Sequence, residues 1–216
     1  PVGNCEYSDI TIFSFHPVKI ITTAEGGAAL TNKFHLFEKM SLLRSHGITR
    51  DEKQMTHNTH GPWYYQQIEL GFNYRMTELQ AALGLSQMQR LDEFVKRRHE
   101  ISNSYNELLS TLPLKIPYQH PDSYSGLHLY IIRLKLNKLK KSHSQIFKEL
   151  REIGIGVNLH YIPVHTQPYY KNLGFKEGDF PQAESYYSEA ISIPMYSGIT
   201  SEQLTTIFSK IKEVLI

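Results

Sequence analysis

The stretch Asp9–Leu30, "DITIFSFHPVKIITTAEGGAAL", decides how the rest of the chain is read. It sets a single lysine, Lys19, in a run that is otherwise apolar or hydroxylic, with Pro17 two residues before it and the Gly26-Gly27 pair after it. A lysine amine is nucleophilic only when neutral, and its unperturbed pKa lies near ~10.4, so a reactive one has to be desolvated or set beside other positive charge. Phe13, Phe15, Val18, Ile20 and Ile21 supply apolar neighbours in sequence. The competing reading is a loop lysine whose stem lies on apolar surface while its ammonium reaches water. Locally, Asp9–Phe15 alternates and is rich in β-branched residues, which predicts a buried strand. "IITTAEGGAALTN" predicts two short strands around a Glu25-Gly26-Gly27 turn.

Downstream, a helix is expected with Asn32 as N-cap, an apolar stripe of Phe34, Phe37, Met40 and Leu42 or Leu43, Arg44 in the last turn and Gly47 as the stop. The following polar stretch, Ile48–Gln67, holds His57, His60 and Trp63 and is too long for a mere connector. Thr77 and Gln80 have capping-box spacing. The apolar positions that follow run on to Pro113, a length that predicts a break or a spine between two domains. Beyond Pro117 the pattern is α+β: strands at "GLHLYIIRLKL" and "GVNLHYIPV", a helix from Ser142 to Ile153 stopped by Gly154, an extended "AISIPMY", and a last helix over Thr200–Val214. The expected domains are 1–105 and 106–216.

Bulk composition narrows the function. The chain has 216 residues, 23 Lys and Arg against 21 Asp and Glu, and a net charge of +2. It therefore has no field that draws nucleic acid, and "LNKLKKSH" (Leu136–His143) reads as a solvated loop. No apolar run reaches the roughly 18 to 20 residues of a membrane span, so a soluble, cytoplasmic protein is expected. The lone Cys5 excludes an internal disulfide. His160 and His165, five apart, fit neither a helical pair nor a same-face strand pair, so no metal site is expected there or at His57 and His60.

The motifs "SFHPVK" (Ser14–Lys19), "TTAEGGAALTN", "SHG", "LGFNYRMTELQAALG" and "NLHYIPVH" occur in this order. Together they resemble the DegT/DnrJ/EryC1/StrS family of sugar aminotransferases, over nearly the whole chain. The resemblance implies an α/β chain of the type I fold of transferases dependent on pyridoxal 5′-phosphate: the C-terminal part of the large cofactor-binding domain, followed by the small α+β domain. It implies that Lys19 attaches the cofactor and shuttles protons. Ser14 and Asn73 would meet the cofactor phosphate or the bound substrate, with Asn73 serving the partner's site in a homodimer. His160, Tyr161, Ile162 and Pro163 would contact the sugar nucleotide. Arg75 stands beside Asn73 before the Thr77 helix start, and His16 has no assigned role.

"LHYIPVHTQPYY" and "AISIPMY" resemble most the branch that aminates a UDP-linked 4-keto-6-deoxy-HexNAc, with glutamate as donor, in pseudaminic acid biosynthesis. In the family the chain ahead of the lysine strand supplies early strands, a phosphate-binding helix and an Asp facing the pyridine nitrogen. Asp9 is not that Asp. The expectation is therefore the C-terminal part of such an enzyme, inactive alone. A silent dimerisation or binding module and an aminotransferase for another nucleotide-linked keto sugar stand as alternatives. A sugar dehydratase of the same fold carries His where this chain has Lys19.

Overall fold

A computed structural model describes residues 1–216, which form two compact units, Pro1–Leu91 and Asp92–Ile216. In the first unit, strands β1 (Thr11–Ser14) and β2 (Gly27–Leu30) pair antiparallel, Ser14 opposite Gly27 and Thr11 opposite Leu30. The expected pair of strands around Glu25 reduces to β2 alone, because residues 15–26 fold as the connection between β1 and β2. The strand expected to be buried is at most half-buried, with Ile12 and Ser14 exposed. A two-stranded ribbon cannot cover both of its faces.

Helix α1 (Phe34–Arg44) starts one residue later than expected. Lys33 is its N-cap, and Asn32 donates its amide to Asn4 O instead of capping the helix. Its apolar stripe is present, but Phe34 and Phe37 lie exposed, 6.2 Å apart ring to ring. The helix stops where expected: Gly47, at φ +68°, donates its amide to Leu42 O at 2.9 Å.

The long segment that follows is closed at its ends by β3 (Ile48–Thr49) and β4 (Gln66–Gln67), an antiparallel pair. Helix α2 (Glu78–Met88) then begins with the expected Thr77–Gln80 capping box. The first unit buries little, with Ile21 its one buried apolar side chain.

The expected break in the long helix falls at Gln89-Arg90, between α2 and α3 (Leu91–Leu109). The expected boundary at residue 105 puts most of α3 in the first domain. In the structure its buried residues Ile101, Tyr105 and Leu109 belong to the core of the second unit. That core forms on a three-stranded antiparallel sheet ordered β5 (Leu114–Lys115), β6 (Tyr130–Leu134), β7 (Ala190–Ile193). Tyr130, Ile132 and Leu134 alternate inward along β6, as the period of a strand requires.

Helix α4 (His143–Glu152), boxed by Ser142 and Gln145, and α7 (Ser201–Leu215), boxed by Thr200 and Gln203, add Ile146, Leu150, Leu204, Ile207 and Ile211 to the core. Short helices α5 (Pro168–Asn172) and α6 (Pro181–Glu189) lie between Pro163 and β7. The expected strand "GVNLHYIPV" is only an isolated bridge, Asn158 to Ser192. Asn158 Oδ1 takes the Leu159 amide at 2.9 Å, and Pro163 has no amide to offer a ladder.

Arg98 is the buried cation of this unit. Its Nη1 donates to the carbonyls of Leu127, His128 and Met195 at 3.0 to 3.1 Å, tying α3 to two loops. Burial lowers its pKa without neutralising it. Arg98→Leu leaves those carbonyls without their donor and is expected to cost about 2–4 kcal/mol in urea unfolding followed by far-ultraviolet circular dichroism. A cost below about 1 kcal/mol would show that the three bonds are not holding the loops.

Candidate active site

Lys19 sits in the connection between β1 and β2, closing a tight turn in which its amide donates to His16 O at 2.9 Å. It is half-buried, with Pro17 and Val18 exposed at the tip. The turn rests on a knot of local bonds. Phe15 N–H donates to Gly26 O (2.9 Å), Thr23 N–H to Phe15 O (3.0 Å) and Thr22 Oγ1 to the same Phe15 carbonyl (2.9 Å). Gly27 allows the return strand to come this close, because a Cβ there would stand 2.5 Å from Phe13 O.

Helix α2 holds the connection from outside. Gln87 Oε1 accepts from Thr22 N–H (2.9 Å), Gln80 Nε2 donates to Glu25 O (3.1 Å), and Gly84 leaves room for the Thr23 methyl, which lies 2.7 Å from where a Cβ would be. Gln80, Gly84 and Gln87 are spaced i, i+4 and i+7, one face of the helix. In the sequence Gln80 stands out only as a cap partner, and the contacts of Gln87 and Thr22 are signalled by nothing but this helical spacing.

Ser14, at the end of β1, is exposed, and its Oγ accepts from His16 N–H at 3.4 Å. Its own O–H stays available as a donor. His16 is exposed, with Nε2 4.0 Å from the Glu25 carboxylate. Asp9 lies at the opposite end of β1, where its carboxylate pairs with Lys33 and is held below the usual carboxylate range.

Asn73 has a fixed backbone and an exposed side chain. The backbone bridges Ser45, between bonds from Phe72 N–H to Leu43 O (2.7 Å) and from Tyr74 N–H to Arg44 O (2.9 Å). The crossing of these segments depends on Gly47, where a Cβ would fall 2.0 Å from Glu69 O. The flanking Phe72 and Tyr74 rings stack at 4.8 Å and are also exposed, as is Arg75. In the polar loop, His57 is engaged on both ring nitrogens, by Tyr64 Oη at 2.6 Å and Thr56 Oγ1 at 3.1 Å.

In the second unit, His160 stacks on the exposed Tyr161 (4.4 Å), Ile162 is exposed and Pro163 is buried. Pro163 forms one wall of an open, apolar pocket of about 350 Å³ with Val164, His165, Tyr170, Phe175 and Phe180. The sequence did not single out this pocket. His165 is buried there, its Nε2 2.7 Å from the Glu184 carboxylate, which also accepts the Gly178 amide at 2.8 Å. A carboxylate can only accept, so Nε2 carries the hydrogen.

These bonds lower the Glu184 pKa, the His165 contact most of all. A depressed folded-state value stabilises the protein above the ordinary glutamate range, and that stability is lost as pH falls through the lowered value. Glu184→Gln is expected to flatten the acid side of the stability curve, read from urea midpoints at stepped pH. A variant curve parallel to wild type would contradict the pairing.

Comparison with known proteins places this geometry. The model of the DegT/DnrJ/EryC1/StrS aminotransferase family matches residues 1–212. The chain is 36% identical over 217 residues to the UDP-4-amino-4,6-dideoxy-N-acetyl-beta-L-altrosamine transaminase of Campylobacter jejuni, covering 96% of this chain and 54% of that one. It is 35% identical over 210 residues to the spore coat polysaccharide biosynthesis protein SpsC of Bacillus subtilis, with the same coverage. Among solved structures it superposes on Helicobacter pylori PseC, an aminotransferase involved in the biosynthesis of pseudoaminic acid. The TM-score is 0.86 and the identity 30%, over 97% of this chain and 54% of that one. The fold is that of the C-terminal half of these type I enzymes, and the chain spans about half the length of the curated relatives it matches.

Proposed function

This chain belongs to the DegT/DnrJ/EryC1/StrS aminotransferase family, and on that premise we propose that it carries the attachment lysine and the sugar-facing loop of an enzyme that aminates a nucleotide-linked keto sugar. Pyridoxal phosphate is the family's cofactor, and solved members exist in its PLP and PMP forms. When bound, it supplies an aldehyde for amine exchange and a ring that stores the electron pair during proton transfer.

The residues present fit the group at two of its ends. A half-buried lysine at position 19 suits the attachment point, and the O–H of Ser14, five residues earlier, suits the phosphate or the bound substrate. Asn73 adds an amide on a fixed backbone just ahead of the α2 N-terminus, where unpaired amides and the helix dipole favour an anion. With the cofactor bound, Lys19 Nζ would serve as the base that takes the α-proton of the amino donor and as the acid that gives it back. The observation that carries this reading is the construction of the Lys19 turn: a tight, locally bonded turn at a strand end, clamped from outside by α2.

For substrate, the reading is a UDP-linked 4-keto-6-deoxy-HexNAc with glutamate as donor, contacted by His160, Tyr161, Ile162 and Pro163. In favour stand the "LHYIPVH" stretch and the likeness to the altrosamine transaminase. SpsC is as similar, so identity alone does not separate one sugar from another. The proposed active form is a homodimer in which Asn73 serves the partner's site. The exposed Phe72 and Tyr74 beside it support that assignment, because large exposed apolar side chains mark surfaces that another body covers.

Incubation with pyridoxal phosphate and borohydride, then peptide mapping, tests the attachment. Lys19 is expected to take the reduced label ahead of exposed lysines such as Lys53, and Lys19→Arg to remove that site with other labelling unchanged. Labelling spread evenly over the exposed lysines would overturn the assignment.

A further inference from the structure

Gln80 makes two kinds of contact at once, and they point in different directions. Its Oε1 accepts from Thr77 N–H at 2.9 Å and from Thr77 Oγ1 at 3.0 Å, closing the capping box at the start of α2. Its Nε2 donates at 3.1 Å to Glu25 O, in the connection that bears Lys19. The Glu25 carbonyl also accepts from Thr23 Oγ1 at 2.7 Å, and the neighbouring Gly26 carbonyl accepts the Phe15 amide. One amide group thus joins the cap of α2, four residues past Asn73, to the far end of the connection that bears Lys19.

A capping box does not need this second contact. Glutamate serves the third helical position as well as glutamine does, and the helix dipole favours its charge there. Only glutamine offers an N–H in addition to the cap acceptor. From this we infer that Gln80 is a positioning residue for the amino-transfer reaction: it holds the Lys19 turn against the start of α2, so that Lys19 and the Asn73 segment are kept in one geometry. The inference rests on the reading of Lys19 as the cofactor-bearing amine.

Two variants separate this role from helix stability. Gln80→Glu keeps the cap acceptor and loses the donor to Glu25 O; Gln80→Ala loses both and adds no charge. Melting temperature and the rate of pyridoxal phosphate labelling at Lys19 are measured on the full chain, with Lys53 and Lys140 as internal references. Gln80→Glu, which keeps the cap acceptor, is expected to melt above Gln80→Ala, which loses the cap as well. Lys19 labelling is expected to slow in both by roughly five- to tenfold, the scale of one lost hydrogen bond. The reference lysines are expected not to change.

Wild-type labelling of Lys19 in Gln80→Glu, or a loss that appears only in the less stable Gln80→Ala, would overturn the inference. If wild-type Lys19 takes label no faster than Lys53, the cofactor reading itself fails. Hydrogen exchange at the Phe15 amide then decides the Gln80 contact separately: faster exchange in both variants supports it, and unchanged exchange overturns it.

Discussion

The connection between β1 and β2 must turn twice and return to its partner strand with almost no core beneath it, and α2 supplies the surface it lacks. Two glutamine side chains bond the connection to the helix, at Thr22 N–H and Glu25 O, and the missing Cβ of Gly84 admits the Thr23 methyl between them. The Thr22 N–H is thereby given a fixed partner, and the Glu25 carbonyl a second one beside Thr23 Oγ1. The position of Lys19 follows from this arrangement. Its turn is closed by its own amide, and the ends of the loop are held by bonds between Phe15, Thr23 and Gly26.

The two units solve the problem of stability differently. Asp92–Ile216 has a conventional core in which three strands are covered by the apolar faces of α3, α4 and α7, and its buried Arg98 donates from Nη1 to three carbonyls. Pro1–Leu91 relies on hydrogen bonds and close backbone crossings, with Phe34, Leu70, Phe72, Tyr74, Leu79 and Leu85 left exposed. Apolar area buried from water is the main stabilising term in folding. Among these exposed side chains that term is still to be gained.

Legibility in the sequence followed the range of the interaction. Local devices could be read directly: the capping box at Thr77 and the stop at Gly47 depend on residues within a few positions of one another. The family motifs likewise pointed to Lys19, Ser14 and Asn73 as candidates. What could not be read depended on a local bond that competes with a ladder, or on partners far away in the chain. "GVNLHYIPV" has the composition of a strand, but Asn158 turns its own side chain onto Leu159 and leaves a single bridge to Ser192. The strand at Thr11–Ser14 has the alternation of a buried element, yet burial is decided by what lies on it. The contacts of Gln80 and Gln87 to residues more than fifty positions earlier, and the pairing of His165 with Glu184, gave no signal stronger than a helical spacing.

The central claim is that the Lys19-bearing connection is folded onto α2 by this chain's own residues. Nuclear Overhauser spectroscopy on the labelled chain tests it at one contact, the Thr23 methyl against the α-protons of Gly84. A strong cross-peak is expected, because the methyl lies 2.7 Å from where a Gly84 Cβ would stand. Absence of that cross-peak in a chain whose α2 is helical would contradict the account.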